Sequence, residues 1–445
     1  MKRFWMLIFY SITFFVATAQ PKPKSQQLAW HDMEFYLFMH FGPNTFTDLE
    51  WGHGNEKEEI FNPENLDCNQ WCRIAKAAGA KGIIITAKHH DGFCLWPSKY
   101  SKHTVRESKW KNGKGDVLKE LSAACKKYGL KFGVYLSPWD RNHPDYGTAK
   151  YNDVFVNMLK EVLTKYGSVW ELWWDGANGE GPNGKQQIYD WHRFEQTVRK
   201  LSPQTVVFSD IGPDIRWCGN ENGTAGITNW NYLDTAGFKR GAGAPPQDTL
   251  NAGNANGKNW IPAECDVSIR PGWFWHKNED DKVKTPETLF DLYLKSVGRG
   301  ANLLLNVPPD QNGLITMYDS LALMGFKKLL EHNFKNDLAA NAKVRNTADQ
   351  FERVIHLGLP AVKKINCLVL EEDIKNGQAI SNFYFQLRNS KKLQSFQGTT
   401  IGHKRIITFP AMDADYISLH LLNPKQKVSI KSIKAYLIGE DLIQP

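Results

Sequence analysis

The chain has 445 residues, of which 42% are hydrophobic and 23% charged, and its formal net charge is +8. This composition excludes a disordered chain, and the length suggests two or three domains with a large core. Lys and Arg are interleaved with Asp and Glu throughout, which argues against a nucleic-acid partner. Sixteen tryptophans fit either a Trp-rich core or aromatic faces on which sugar rings stack.

The first twenty residues have the pattern of a secretory signal peptide. Lys2 and Arg3 precede an apolar stretch over residues 4–16, and the small residues Ala17 and Ala19 mark a cleavage site. We expect cleavage after Ala19 and export to the periplasm or the cell exterior, without membrane insertion of the mature protein. An uncleaved membrane anchor would need a longer uninterrupted apolar span.

A repeating unit begins after residue 25, in which a helix ends in a basic or small residue plus Gly and an apolar strand follows. Such alternation predicts a parallel sheet with helical crossovers. A count of about seven or eight strands favours an α/β fold, an irregular (β/α)8-like barrel over residues 20–338. Asp116 is expected to cap a helix over residues 117–128. The predicted strands are 35–39, 82–86, 132–136, 169–174, 205–209 and 301–307, with less clear ones at 226–230 and 260–265.

The pattern of apolar and polar residues changes past residue 338. Short alternating apolar runs separated by turn residues predict a C-terminal antiparallel β-sandwich over residues 339–445. Both a structural domain and a carbohydrate-binding module agree with this pattern. The seven cysteines lack the spacing of a disulfide framework or a zinc site, so buried thiols are expected.

Polar and aromatic residues follow six of the predicted strands. Asp175 ends the apolar run 167–174; alone it would fit a turn before Gly176 as well as a catalytic carboxylate. Because the strands of a barrel end at one rim, the whole set indicates a functional site. The candidates, in chain order, are His40, Glu50, Trp51, His89, His90, Tyr135, Asp175, Glu221, Glu264, Arg270 and Trp273.

Two kinds of chemistry fit such a rim. His40, His89, His90 and Asp175 could hold a catalytic metal. Against a metal, His89 and His90 are adjacent, so their side chains would diverge if the strand continued through them. The alternative is a pocket for a hydroxylated ring, with histidines as hydrogen-bond partners, aromatic stacking faces and two carboxylates that act on the substrate.

Four motifs of the chain are Phe38-Met-His-Phe-Gly42, Lys88-His-His-Asp-Gly-Phe93, Gly133-Val-Tyr-Leu-Ser-Pro-Trp139 and Trp173-Trp-Asp-Gly176. In this order and at these distances they resemble the α-L-fucosidases of glycoside hydrolase family 29, over roughly residues 28–335. The resemblance implies a (β/α)8-like barrel followed by a β-sandwich, and a retaining mechanism in which Asp175 is the nucleophile. It implies that His40, His89 and His90 bind fucose hydroxyls, with Trp51 and Tyr135 on the pocket wall and Glu50, Arg270 and Trp273 as further contacts. No metal or cofactor is implied.

The acid/base residue depends on the branch of the family. The segment Arg216-Trp-Cys-Gly-Asn-Glu-Asn222 resembles the branch that acts on α-1,3- and α-1,4-linked fucose in branched, Lewis-type glycans, which implies Glu221 as acid/base. Glu264, near a later strand end, is the rival. A fucosidase of broader specificity, acting on simple or α-1,2-linked fucosides, and a non-catalytic fucose-binding protein are the alternatives. Residues 176–187 are expected to border the leaving group. The expected partners are fucosylated oligosaccharides or glycoconjugates, and the sequence does not indicate an oligomeric state.

Overall fold

The computed structural model describes residues 20–241, 245–422 and 428–442. The expected signal peptide, residues 1–19, lies outside the described residues. Within the described ranges, no helix is both long and apolar enough to cross a membrane. The chain forms a barrel of alternating strands and helices, followed by an antiparallel β-domain.

The strands of the first unit are short apolar runs, most of them buried along their whole length, as expected where helices cover one face and the barrel interior the other. They are β1 (Phe35–Met39), β2 (Gly82–Lys88), β3 (Lys131–Leu136), β4 (Val169–Trp173), β5 (Val206–Ser209), β6 (Ile215–Trp217), β7 (Tyr232–Leu233), β8 (Asn259–Trp260), β9 (Ala263–Ser268) and β10 (Asn302–Asn306).

Eight described strands close into a parallel barrel in the order β1, β10, β9, β6, β5, β4, β3, β2, while β7 and β8 form a separate antiparallel ladder. The predicted (β/α)8-like fold is therefore confirmed. The prediction of a strand at residues 226–230 is wrong: the strand that follows β5 in the barrel is β6, a segment for which the sequence analysis predicts no strand. Residues 210–214 alone connect β5 to β6, and buried Asp214 fixes that turn by accepting a hydrogen bond from Val207 N at 2.9 Å.

Capped helices alternate with the barrel strands. Asp116 accepts a hydrogen bond from Lys119 N at 3.0 Å, as predicted, and Gly129 ends the same helix in the left-handed conformation that glycine favours. The helices are α1 (Ser25–His31), α2 (Pro43–Thr47), α3 (Cys68–Ala78), α4 (Val117–Tyr128), α5 (Ala149–Lys165), α6 (Trp191–Leu201), α7 (Gln247–Ala252), α8 (Pro286–Lys295) and α9 (Met317–Asn333).

The C-terminal domain is an antiparallel sheet that folds over on itself. Two long strands run through both halves, and the longer one shifts register between Gly358 and Lys363. The halves pack face to face, with the rings of Phe385 and Phe409 5.5 Å apart, so the predicted sandwich is confirmed. The strands are β11 (Lys343–Ala348), β12 (Glu352–Glu372), β13 (Phe383–Arg388), β14 (Leu393–Gly398), β15 (Arg405–Leu422) and β16 (Ile430–Tyr436).

The cysteines, all within the described residues, are buried free thiols, as expected. Cys72 on α3 and Cys125 on α4 have their sulfur atoms 3.8 Å apart, where the two helices pack together. Cys72 and Cys125 therefore contribute to the packing of α3 on α4, and Cys68 is buried in the same hydrophobic core.

Candidate active site

The carboxyl ends of the barrel strands surround a cavity of about 220 Å³, here called the first cavity. All the predicted catalytic and binding residues line it except Glu264 and Arg270. They come from different strands, and the closed barrel brings them to one rim. The lining residues are Phe38, His40, Glu50, Trp51, His89, His90, Tyr135, Trp173, Asp175, Ala177, Glu221, Asp266 and Trp273.

The three histidines form one side of the first cavity. β2 ends at Lys88, whose ammonium group is buried 3.3 Å from the carboxylate of Asp140. The chain therefore leaves the strand before His89 and His90, and their rings lie 4.2 Å apart on the same cavity. The condition under which these two side chains would diverge, a strand that continues through them, is not met, because β2 ends at Lys88.

Burial keeps the histidine rings neutral. Removal from water lowers the pKa of His40 to about 4 and that of His90 to about 4, and it lowers the pKa of His89 well below its ordinary value. A neutral imidazole has one N–H donor and one acceptor nitrogen. His40 Nδ1 lies 2.9 Å from Asn306 Oδ1, and His90 Nδ1 lies 2.8 Å from Ser137 Oγ. These contacts fix the orientation of the two rings at the wall of the first cavity.

Asp175 follows β4 and is held at both carboxylate oxygens. The hydroxyl of Tyr135 donates to Oδ2 at 3.1 Å, and Ala177 N donates to Oδ1 at 2.7 Å. His90 Nε2 lies 3.7 Å from Oδ2. The carboxylate is thus fixed in direction while its side chain keeps 26% exposure toward the cavity, which suits a nucleophile.

Glu221 lies in the loop after β6 and faces the same space as Asp175. Partial removal from water raises the pKa of Glu221. A hydrogen bond from Trp273 lowers this pKa, whereas the negative charges of Asp175 and Glu50 raise it. A carboxyl group with a raised pKa keeps its proton nearer neutral pH, which suits a general acid.

A second cavity of about 250 Å³ adjoins the first on the side of β4, β5, β6 and β9. The two share Trp173, Asp175, Ala177, Glu221 and Asp266, so both carboxylates stand at the boundary between them. Of the loop expected at the leaving group, Gly176 and Ala177 line this second cavity. Its remaining lining residues are Phe208, Asp210 and Trp217.

Asp266 was missed by the sequence reasoning. It lines both cavities, and the indole N–H of Trp217 donates to its Oδ1 at 2.8 Å. Burial, and then the charges of Cys218 and Glu221, raise the pKa of Asp266 well above its ordinary value. The signal was present in β9, where Glu264, Asp266 and Ser268 alternate with apolar residues and so share the face that points into the barrel.

The structure places Glu264 beneath the first cavity, outside the lining of both cavities. Its carboxyl group is fully buried, accepts a hydrogen bond from Trp173 Nε1 at 2.8 Å and is hydrogen-bonded to the hydroxyl of Tyr36. Glu171 lies beside it and accepts from Trp30 Nε1 at 3.1 Å. Burial raises the pKa of both carboxyl groups. This pair supports Trp173, the floor of the cavity.

Glu50 joins the two loops that carry the aromatic wall. Its carboxylate accepts hydrogen bonds from Trp273 N at 2.8 Å and Phe274 N at 3.1 Å, and it lies 2.7 Å from His276 Nε2. Trp51, 53% exposed, packs its edge against His90 with 5.4 Å between the ring centres. The wall is thus fixed at Trp273 and open to solvent at Trp51.

Arg270 does not reach either cavity. Its guanidinium is buried between Asp319, 2.8 Å from Nη2, and Asp280, 2.8 Å from Nη1. Arg270 therefore anchors the end of β9 to α9. Among the described residues, no group of three or more His, Cys, Asp or Glu is arranged to hold a metal ion.

Comparison with known proteins agrees with this geometry. The family model described as Alpha-L-fucosidase matches residues 25–334. Alpha-L-fucosidase 1 of Arabidopsis thaliana is 41% identical over 421 residues, covering 87% of this chain and 82% of that protein. A glycoside hydrolase 29 family member from an unknown rumen bacterium is 43% identical with a TM-score of 0.87, covering 95% of this chain and 78% of its own.

A GH29 fucosidase of Ruminococcus gnavus, solved in complex with fucose, is 31% identical with a TM-score of 0.86, covering 96% of this chain and 98% of its own. The match of sequence and fold thus extends over the barrel and the C-terminal domain. The chain is an enzyme that belongs to the α-L-fucosidases, the glycoside hydrolases of family 29.

Proposed function

We propose that the protein is an exo-acting, retaining α-L-fucosidase that removes α-1,3- and α-1,4-linked fucose from branched, Lewis-type oligosaccharides or glycoconjugates. The observation that carries the proposal is the pair of carboxylates, Asp175 and Glu221, at one cavity lined by neutral histidines. The fucose held by the Ruminococcus gnavus relative supports fucose as the sugar that this cavity takes.

The first chemical step forms a covalent intermediate. An Asp175 oxygen attacks the anomeric carbon from the β face while Glu221 donates its proton to the glycosidic oxygen, so the bond to the leaving sugar breaks with its electron pair on that oxygen. In the second step Glu221 takes a proton from water, the water oxygen attacks the same carbon from the α face, and Asp175 leaves as a carboxylate. Two inversions return α-fucose.

The surrounding residues suit these roles. The hydroxyl of Tyr135 at 3.1 Å and the amide of Ala177 at 2.7 Å hold the Asp175 carboxylate in position. His40, His89 and His90 offer uncharged donors and acceptors for sugar hydroxyls without adding positive charge beside the nucleophile. Trp51 and Trp273 supply aromatic faces for the apolar side of the ring.

The preference for α-1,3 and α-1,4 linkages rests on the acid/base loop. Residues 216–222 carry the resemblance to the Lewis-type branch, and Glu221 in that loop lines both cavities. The placement of Glu264 beneath the floor favours Glu221 as the acid/base. The proposed setting is export after cleavage at Ala19, where extracellular or periplasmic glycans are available.

The test pairs two variants with two substrates. Asp175→Ala and Glu221→Ala are assayed on an aryl fucoside and on a Lewis trisaccharide, with the exposed Glu64→Ala as control. Azide is expected to rescue Asp175→Ala with β-fucosyl azide as product, because it replaces the nucleophile. It rescues Glu221→Ala with α-fucosyl azide, because it replaces water on the intermediate.

Each outcome has a clear reading. Near-normal activity of Asp175→Ala rejects the whole mechanism. If Asp175→Ala gives the α-azide and Glu221→Ala gives the β-azide, the roles of nucleophile and acid/base are exchanged between the two residues. A wild-type enzyme that prefers the aryl fucoside to the trisaccharide by kcat/KM indicates the broader branch, and a protein that binds fucose without turnover is a binding protein. Loss of activity with a chelator would favour a metal hydrolase.

A further inference from the structure

The second cavity is a defined space that the cleavage mechanism leaves without a role. It measures about 250 Å³, against about 220 Å³ for the first cavity. Since the first cavity is assigned to one fucose ring, the second has room for one further sugar ring. The cavities meet at Asp175 and Glu221, where the bond to be broken must lie.

We propose that the second cavity receives the sugar attached to fucose, and that it selects neutral sugars over sugars carrying a sulfate or carboxylate group. This inference rests on the proposed fucosidase function and adds to it the chemical class of the leaving group. Glu221 lines both spaces, so a leaving oxygen at their boundary lies within reach of its proton.

Aromatic side chains give this cavity a surface for a sugar ring. Trp217, Phe208 and Trp173 line it, and Phe208 stacks on Trp173 with 4.0 Å between ring centres. The orientation of Trp217 is fixed because its indole N–H donates to Asp266 at 2.8 Å. Fixed aromatic faces bind the apolar side of a pyranose and lose little conformational entropy on binding.

The polar groups of the second cavity are carboxyl groups. Asp210 and Asp266 line it together with Asp175 and Glu221, and no Lys or Arg of the described residues lines either cavity. Asp210 is fixed by Ile211 N, which donates to its Oδ1 at 3.2 Å. Sugar hydroxyl and amide groups donate to carboxylate oxygens, whereas a sulfate or carboxylate offers only acceptors and like charge.

Like charge decides the expected selectivity. Glu221 and Asp266 have raised pKa values that favour their protonated forms, so the negative charge of the cavity comes from the nucleophile Asp175 and from Asp210. Burial raises the pKa of Asp210, and its hydrogen bonds from Ser209, Ile211 and Gly241 oppose that shift. An anionic group brought within about 5 Å of such a carboxylate near a protein surface meets enough repulsion to lower kcat/KM by about 100-fold. No cation on the cavity wall offsets this within the described chain. The enzyme should therefore cleave fucose from N-acetylglucosamine or a neutral hexose, and leave fucose on the sulfated counterpart.

The experiment uses the wild-type enzyme and three substrates. These are an aryl fucoside, fucosyl-α-1,3-N-acetylglucosamine, and the same disaccharide with a sulfate on O6 of N-acetylglucosamine. We expect turnover of the first two and at least a roughly 100-fold lower kcat/KM for the third. In parallel, N-acetylglucosamine should inhibit as a product, whereas its 6-sulfate and glucuronic acid should not.

The variant Asp210→Asn tests whether the leaving sugar occupies the second cavity. Removing that carboxylate should raise the ratio of sulfated to neutral kcat/KM by about 10-fold, while the exposed control Glu64→Ala leaves the ratio unchanged. No cleavage of either the aryl fucoside or the neutral disaccharide would reject the fucosidase function itself. Equal cleavage of the neutral and sulfated disaccharides overturns only this inference, because it shows fucosidase activity without the selectivity. An unchanged ratio in Asp210→Asn places the leaving sugar elsewhere.

Discussion

Replacing Glu171 by Gln tests the carboxyl pair beneath the floor of the first cavity. Burial, and then the charge of Glu264, raise the pKa of Glu171 well above its ordinary 4.5. Two adjacent carboxyl groups in such an interior do not both ionise, so the native pair retains a proton. A Gln side chain keeps an acceptor for Trp30 and offers its amide to Glu264, so the variant folds without that proton.

Proton linkage gives the size of the effect. In the unfolded chain Glu171 has its ordinary pKa of 4.5, so above that pH the native pair binds about one proton more than the unfolded chain. This stabilisation is complete below the unfolded-state pKa and is lost as the pH rises toward the raised native pKa. One proton corresponds to about 1.4 kcal/mol per pH unit, hence about 3 kcal/mol over the two pH units from about pH 5.5 to about pH 7.5.

The assay is urea unfolding at several pH values in this range, for the wild type, Glu171→Gln and the exposed control Glu64→Gln. We expect the free energy of unfolding of the wild type to fall by about 3 kcal/mol more than that of Glu171→Gln, while the control follows the wild type. A difference between wild type and Glu171→Gln that stays constant with pH would refute the shared proton.

Three further predictions concern the cavity. Tyr135→Phe removes the hydroxyl that donates to Asp175 at 3.1 Å. Because hydrogen bonds to charged groups contribute about 1.5–3 kcal/mol, this variant should lower kcat/KM by about 10- to 150-fold. An unchanged kcat/KM would contradict this role of Tyr135. Trp51→Ala should raise KM and leave kcat within about threefold, because Trp51 is 53% exposed at the rim; a large loss of kcat would place it at the reacting atoms. The raised pKa of Glu221 should produce an alkaline limb in the pH profile of kcat/KM, because the protonated form of Glu221 is lost as the pH rises. A dinitrophenyl fucoside should lack that limb, because its leaving group needs no proton.

Much of the architecture could be predicted because it depends on sequence patterns that lie close to each helix or strand. Apolar runs of strand length, glycines after helices and a cap such as Asp116 lie within a few residues of the elements that they define. The same locality placed Asp175 at the end of a strand. The three-residue strand β6 could not be predicted, because a run so short has no periodicity and its pairing with β5 and β9 comes only from closure of the barrel.

The sequence by itself therefore determined the fold class, the rim at which polar residues collect, and the nine predicted residues that line the first cavity. Only the tertiary structure decided which acidic and basic groups face the cavity and which are paired with other side chains in the interior. Arg270 pairs with Asp319 and Glu264 with Trp173, and such partners are distant along the chain. A buried charged or polar group must find a partner, and the identity of that partner is a property of the packed barrel.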